Sequence, residues 1–427
     1  MKADLIVTNI GQLVTCASPD GPKRGEAMRD VGMIEKGAVA ISDRKFVGVG
    51  ALEQITRDFQ SEKIFDASGR VVCPGFVDPH THIVYAGDRL DEFELKIKGA
   101  DYLEILANGG GIISTVQKTR GEGSDHLVVD GNHRADRMLE NGTTTVEIKT
   151  GYGLDTESEL KMLRVIVEMD ETCVSNLVPT ILAAHAVPPE FRDRTDDYVD
   201  LICEEILPRA KSYYDSTHFP NDGIPIFADV FCEKNAFDLE QARRVLQVAS
   251  GLGYGIKAHV DEFINLGDSR MAIEMGAISI DHLDAISDSE IAMLADSKTV
   301  GVITPTVNFN FGSREFANAR KMIDSGCAIA LSTDYNPGSA PCPSQTMVMA
   351  IACRYQKLLP AEAMNATTIN AAHAIGLGDR FGSIEVGKDA DLVFLNAYDY
   401  RKACYEFGGT LVRSVVKRGQ EVYNKVT

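Results

Sequence analysis

The sequence predicts an α/β chain, a (β/α)8 TIM-like barrel with a small β-sandwich domain formed from both termini, on three observations. Between residues 71 and 331, eight short apolar runs rich in Val and Ile alternate with helical patterns. Such alternation argues for a parallel sheet covered on its outside, and eight units fit a closed barrel. The two ends of the chain read alike, as short strands separated by Gly, Pro, Asp and Ser turns. Five of the nine histidines follow apolar runs, at the strand ends where a barrel builds its active site.

In chain order, Leu5–Ile10, Ala38–Ser42, Lys45–Gly50 and Lys63–Ala67 read as strands, with Ser18–Met33 as an exposed loop. Asp391–Leu395, Leu411–Arg418 and Gly419–Tyr423 read as strands near the other end. Chain ends commonly lie close together, so residues 1–70 plus 378–427 are expected to form one composite β domain around an inserted barrel of residues 71–377. Barrel strands are expected at Val71–Val77, Thr143–Ile148, Leu177–Leu182, Ile226–Phe231, Gly255–His259, Ala277–Ile280, Thr299–Ile303 and Ala328–Leu331. Helices are expected at Glu157–Asp170, Tyr198–Lys211, Leu239–Leu252, Asn265–Met275, Ser287–Ala295 and Ser313–Ser325. Leu90 to Gly142 is too long for one helix and reads as two helices plus a glycine-rich loop at Gly109-Gly110-Gly111.

Composition narrows the function. A net charge of −19 disfavours nucleic acid and anionic membranes as partners, since both reward clustered Lys and Arg. Met1–Val7 reads as a strand rather than a secretory segment, and no apolar run is long enough to span a bilayer. The nine cysteines are scattered with no C-x-x-C pair, which fits reduced thiols and a cytoplasmic location.

The chemistry is read at the strand ends. His80 and His82 are two residues apart at the end of the first barrel run, so both imidazoles face one way and can grip one ion. The later runs end on Glu147, Lys149 and Tyr152, then His185, Glu233, His259 with Glu262, His282, Asn308, and Asp334 with Asn336. A lone strand-end histidine is more often a hydrogen-bonded core residue than a ligand. The H-x-H pair together with His259 and Asp334 outweighs that, and these four are expected to bind a metal. Three imidazoles and one carboxylate leave a position for water, whose pKa a metal lowers toward about 7. His282 and Glu262 are placed to move protons, and Asp334 could share in it. Asp78 has an alternative reading as a turn residue, Glu147 as a carboxylate that supports the ligands from behind or is satisfied in the core, and Lys149 as a buried ion-pair partner. His126, His133, His218 and His373 fall on helices or loops and read as structural or solvent-facing.

His80-Thr81-His82, His259, His282 and Asp334 resemble the amidohydrolase superfamily in a single-metal form. Its two-metal members need a bridging lysine, and Glu233 stands at the end of strand four. The resemblance narrows on Pro74 through His82, Gly87-Asp88-Arg89, Gly109 through Ile112, Glu147 through Gly153, Ala184 through Pro189, His259 through Phe263 and Thr333 through Ser339. These blocks, in order from about residue 70, are similar to the imidazolonepropionase family of histidine degradation. That resemblance implies hydrolysis of 4-imidazolone-5-propanoate to N-formimino-L-glutamate. It implies one zinc or iron ion on His80, His82, His259 and Asp334. It implies substrate binding by Arg89, Tyr152 and His185, contact of Glu262 with the ring, a pocket lining of Asn336, Gly338 and Ser339, and His282 as acid/base partner.

The implied substrate is a small anion, whose propionate a planar guanidinium matches through paired hydrogen bonds. A homodimer is the expected assembly, without nucleic-acid or membrane partners. The sequence departs from the family pattern at Thr304–Phe309 and at Ala340 and Cys342, which bears on the pocket lining rather than the reaction class. Two other readings differ in kind. A cyclic-amide hydrolase or aromatic deaminase would share the metal site, but a neutral base has no propionate for Arg89 to bind. A non-catalytic scaffold would be expected to have lost ligands, and all four are present.

Overall fold

The computed structural model describes residues 1–99, 110–234 and 236–425, so Gly109 of the glycine-rich loop lies outside the described residues. Eight strands form one parallel sheet in sequence order: β6 (Phe76–Asp78), β7 (Thr143–Lys149), β8 (Asn176–Ala184), β9 (Phe227–Val230), β10 (Gly255–Val260), β11 (Ser279–His282), β12 (Val300–Ile303) and β13 (Ile329–Leu331). Their residues are almost entirely buried, as expected where helices cover the outside and side chains fill the inside. The sheet nearly closes on itself. Thr81 bridges Tyr335, and the fully buried Asp78 carboxylate accepts from the Ser332 and Thr333 hydroxyls. Asp78 is thus the seam between the first and last barrel strands rather than a turn residue. Burial pushes its carboxyl up to about 6 against those hydrogen bonds.

The run expected as one strand from Val71 to Val77 is two. β5 (Val71–Pro74) lies in the terminal sheet and only β6 enters the barrel. The break falls at Gly75, where a Cβ would stand 2.1 Å from the Thr144 hydroxyl, so only glycine fits where the chain passes from one sheet to the other.

The terminal sheet joins β1 (Leu5–Val14), β2 (Met33–Ser42), β3 (Lys45–Ala51) and β4 (Ile64–Asp66) to β14 (Leu392–Leu395), β15 (Val412–Lys417) and β16 (Gln420–Asn424), with β5 between β1 and β14. Its two limbs are one continuous mixed sheet, curled until Lys45 bridges Asp389. Val7, Leu13, Val39, Phe46, Val72, Leu392 and Phe394 share the core inside the curl.

Three further expectations need correction. Ser18–Met33 is not simply an exposed loop. Lys23, Met28 and Val31 are buried, and Asn365 and Asn370 donate to the Met28 and Lys23 carbonyls, strapping the segment to the barrel. Among the described residues, Leu90–Gly142 holds three helices, Leu90–Ile97, Ile112–Gly121 and Ser124–Glu140. The helix expected over Ser313–Ser325 begins only at Ala319, where the Asn318 side chain accepts from Lys321 N–H. No described helix is long and apolar enough to cross a membrane.

Candidate active site

The strand ends of the barrel converge as the alternation of side chains requires. His80, His82 and His259 each bring a ring nitrogen within 4.8 Å of the others, and His80, His282 and Asp334 meet the same limit. The Nε2 atoms of His80 and His82 are 3.4 Å apart. Asp334 Oδ1 lies 3.4 Å from His82 Nε2 and 3.6 Å from His80 Nε2. Ligands sharing one tetrahedral ion at 2.0–2.1 Å stand roughly 3.3 Å apart, so this spacing suits a single ion. His259 Nε2, His282 Nε2 and Asp334 Oδ1 are buried with no protein partner, which is costly unless something else satisfies them.

The charges agree with that reading. Burial, reinforced by neighbouring Lys149, holds the His80 imidazole far below its ordinary value, and burial with His185 does the same for His82. Both rings are therefore neutral and able to ligate. Burial pushes the Asp334 carboxyl up to about 8, and a cation at the cluster is what would keep it ionised. The histidines are oriented from behind. His80 Nδ1 lies 2.6 Å from Asp281 Oδ2, and His259 Nδ1 lies 3.0 Å from Asp229 Oδ2, which turns each Nε2 toward the site.

Those carboxylates belong to a buried network. Lys149 Nζ lies 2.7 Å from both Glu147 Oε1 and Asp229 Oδ2, and 3.7 Å from Asp281 Oδ2. Lys257 adds a second cation, 3.8 Å from Asp281 and donating to the Pro79 carbonyl at 2.9 Å. Burial works against a charged Lys149, but Asp229, Glu147 and Asp281 outweigh it and hold the ammonium above its ordinary value. Lys149 and Glu147 therefore lie beneath the site as ion-pair partners. Asp229, Asp281 and Lys257 were not singled out from sequence, although Lys257 precedes His259 by two residues, the spacing that puts both on one strand face.

Beside the histidine cluster is a cavity of about 210 Å³ lined by Arg89, Tyr152, His185, Glu262, His282, Asp334, Asn336, Gly338 and Ser339, and by Lys96 and Phe311. Every residue expected to bind substrate is thus in one place. Burial and the nearby Asp334 push the Tyr152 hydroxyl well up, so it stays a donor. Burial, with Asp334 and Asp284 nearby, raises Glu262 well above a usual carboxyl. His282 Nδ1 lies 3.1 Å from the Thr304 hydroxyl and 4.0 Å from Glu262 Oε1. The unusual segment starting at Thr304 therefore supports His282 from behind. Ala340 and Cys342 do not line the cavity.

Arg89 is held by Glu92, through Nε at 2.8 Å and Nη2 at 2.6 Å, and Glu92 also receives Lys96 Nζ at 2.7 Å and Gly111 N–H at 2.8 Å. Asn336 Oδ1 accepts from Gly338 and Ser339 N–H, shaping the turn that faces Arg89. Besides His80, Glu147 and Lys149, which lie beneath it, two strand-end residues stay outside the cavity. Asn308 donates to Asp284 and the Glu315 carbonyl, and Glu233 accepts from Phe263 and Ile264 N–H, holding the loop that carries Glu262. The remaining histidines lie elsewhere, His126 on Glu122 and His218 on Asp170.

The geometry has counterparts among known proteins. The family model "Amidohydrolase family" matches residues 71–422. An imidazolonepropionase of Chloroflexus aggregans is 53% identical over 419 residues, covering 98% of each chain. One of Herpetosiphon aurantiacus is 46% identical, covering 98% of this chain and 97% of its own. Among solved structures, an adenosine deaminase from Xanthomonas campestris with bound zinc superposes with a TM-score of 0.72 at 19% identity, covering 98% of this chain and 93% of that one. Escherichia coli guanine deaminase gives 0.71 at 18% identity, covering 99% and 100%. At such identities these two share the fold.

Proposed function

The chain belongs to the imidazolonepropionase family of the amidohydrolases, which makes hydrolysis of 4-imidazolone-5-propanoate in histidine degradation its reaction, and from this premise we propose how its own side chains carry the reaction out. His80, His82, His259 and Asp334 would hold one ion, zinc or iron, since both accept imidazole and carboxylate ligands. When bound, such an ion supplies Lewis-acid polarisation and acidifies water toward about pH 7. Arg89 takes the propionate, Tyr152 donates to the substrate, and Glu262, with its raised carboxyl, meets a ring nitrogen. His282, steadied by Thr304, takes the proton from water as its oxygen bonds to the ring carbonyl carbon. It returns that proton to the ring nitrogen as the C–N bond breaks, which gives N-formimino-L-glutamate. The observation that carries this reading is the joint lining of one cavity by the unpaired ion ligands and the guanidinium of Arg89.

The direct test is loss of 4-imidazolone-5-propanoate absorbance with purified protein, before and after chelation. Turnover should vanish on chelation and return with zinc or iron. No turnover by metal-loaded protein would mean that the pocket serves another cyclic amide or an aromatic amine.

Gly338 tests the propionate subsite. A Cβ there would stand 2.1 Å from Arg89 Nη1. The obstacle is the flexible end of a side chain, so Gly338→Ala should fold and displace the guanidinium. KM is expected to rise about tenfold with kcat and metal content little changed, the mark of lost binding common to ground and transition states. Steady-state kinetics showing an unchanged KM would remove Arg89 from the carboxylate site.

A further inference from the structure

The loop Gly151-Tyr152-Gly153-Leu154 leaves the end of β7 and carries Tyr152 into the cavity. It has an unusual scaffold. Glu159, from the first turns of the helix Thr156–Thr172, is 1% exposed, and its carboxylate folds back under the loop. Oε1 accepts from Gly151 N–H at 3.1 Å, Gly153 N–H at 2.8 Å and Leu154 N–H at 2.9 Å, and Oε2 accepts again from Gly151 at 3.2 Å. Gly151 sits at φ +98° and Leu154 at +55°, backbone that needs outside support. A Cβ on Gly153 would stand 2.5 Å from Glu159 N, so loop and helix are in direct contact.

The clamp reaches a second cavity residue. Oriented by the Gly151 N–H bond, the next peptide plane puts the Gly151 carbonyl 3.1 Å from His185 Nδ1. A carbonyl only accepts, so Nδ1 carries the ring proton and Nε2 is left as an acceptor. His185 lines the cavity, stacked on His82 with ring centroids 5.0 Å apart. An acceptor there suits a substrate ring that offers an N–H.

We propose that Glu159 is a positioning residue that fixes Tyr152 and, through the Gly151 carbonyl, the His185 tautomer, so that the cavity selects a ring bearing an N–H donor. The inference rests on the reading of Tyr152 and His185 as substrate-binding groups. Its geometry predicts a graded series. A glutamine keeps an oxygen at the Oε1 position, where three of the four contacts are made. An alanine loses them all, and an aspartate withdraws the carboxylate by one methylene.

Glu159→Gln should leave KM for 4-imidazolone-5-propanoate within about threefold of wild type, whereas Glu159→Ala should raise it about tenfold or more with kcat and bound metal nearly unchanged. Histidine 15N resonances, assigned for His185 by its loss in His185→Gln, should show the Nδ1–H tautomer in wild type and Glu159→Gln and a mixture in Glu159→Ala. A merely structural glutamate would lower stability without moving either readout. If Glu159→Ala does not fold with its metal, Glu159→Asp replaces it, with the same expected rise in KM and loss of the single tautomer. A folded, metal-loaded Ala or Asp variant with wild-type KM and an unchanged His185 signature overturns the proposal. If the wild type turns over no 4-imidazolone-5-propanoate, the substrate reading fails by itself, and the tautomer comparison still decides the role of Glu159.

Discussion

Asp334→Asn is expected to lower kcat by about 10³-fold or more while the protein stays folded, because the change removes the only carboxylate among the four proposed ion ligands. The side chain keeps its size, and the bond from Asn336 Nδ2 to the Asp334 carbonyl is untouched by the change. What is lost is the negative charge 3.4 Å from His82 Nε2 and 3.6 Å from His80 Nε2. Bound metal per chain, measured by elemental analysis after dialysis, should fall with activity. Full metal content with wild-type turnover would move Asp334 out of the ligand set and leave three histidines to hold the ion.

The second large effect is on stability. Lys149→Met should destabilise the fold by about 3–5 kcal/mol, since removing one partner of a buried ion network strands the others. Three carboxylates face this ammonium, none of them exposed, and Lys257 reaches only two of them, at 3.8 and 4.0 Å. The exposed Lys298→Met is the comparison and should change stability by no more than about 0.5 kcal/mol. Equal melting temperatures for the two variants would show that the network under the barrel mouth contributes little. Metal affinity should fall as well, because Asp229 and Asp281, which orient His259 and His80, each lose the Lys149 ammonium as a partner.

The barrel was legible because its strands are continuous apolar runs, and continuity survives errors at their ends. Most candidate site residues were legible for the same reason, since a histidine or carboxylate after such a run has one place to go. The split at Gly75 was not, because Val71–Val77 reads as a single apolar run and only the strand partners, β14 on one side and β7 on the other, divide it. Asn308 and Glu233 misled in the opposite sense. Both end strands, yet each turns aside to tie a neighbouring loop. Glu159 and Asp229 escaped notice because their partners are backbone groups of a loop or side chains on other elements, and Glu92 because its i−3 and i+4 pairs with Arg89 and Lys96 read as an ordinary solvated helix face. The strap formed by residues 18–33 was hidden likewise, since its polar composition reads as a loop while its anchors, Asn365 and Asn370, lie far along the chain.

The single-residue joint at Gly75 also sets a timetable. β6 begins the barrel, but β5 just before it needs β14 beside it, and the paired residues Cys73 and Val393 are 320 positions apart. At ordinary ribosomal speeds that separation is roughly 15–60 seconds of synthesis. Throughout that interval the nascent chain carries an apolar strand with one edge open, next to the point from which the barrel must grow. Pairing across such a span is slow to nucleate and exposed to wrong partners. The barrel can therefore be well advanced while its first strand hangs from an unfinished sheet, and yield in the cell should depend on how that edge is shielded until the last strands emerge.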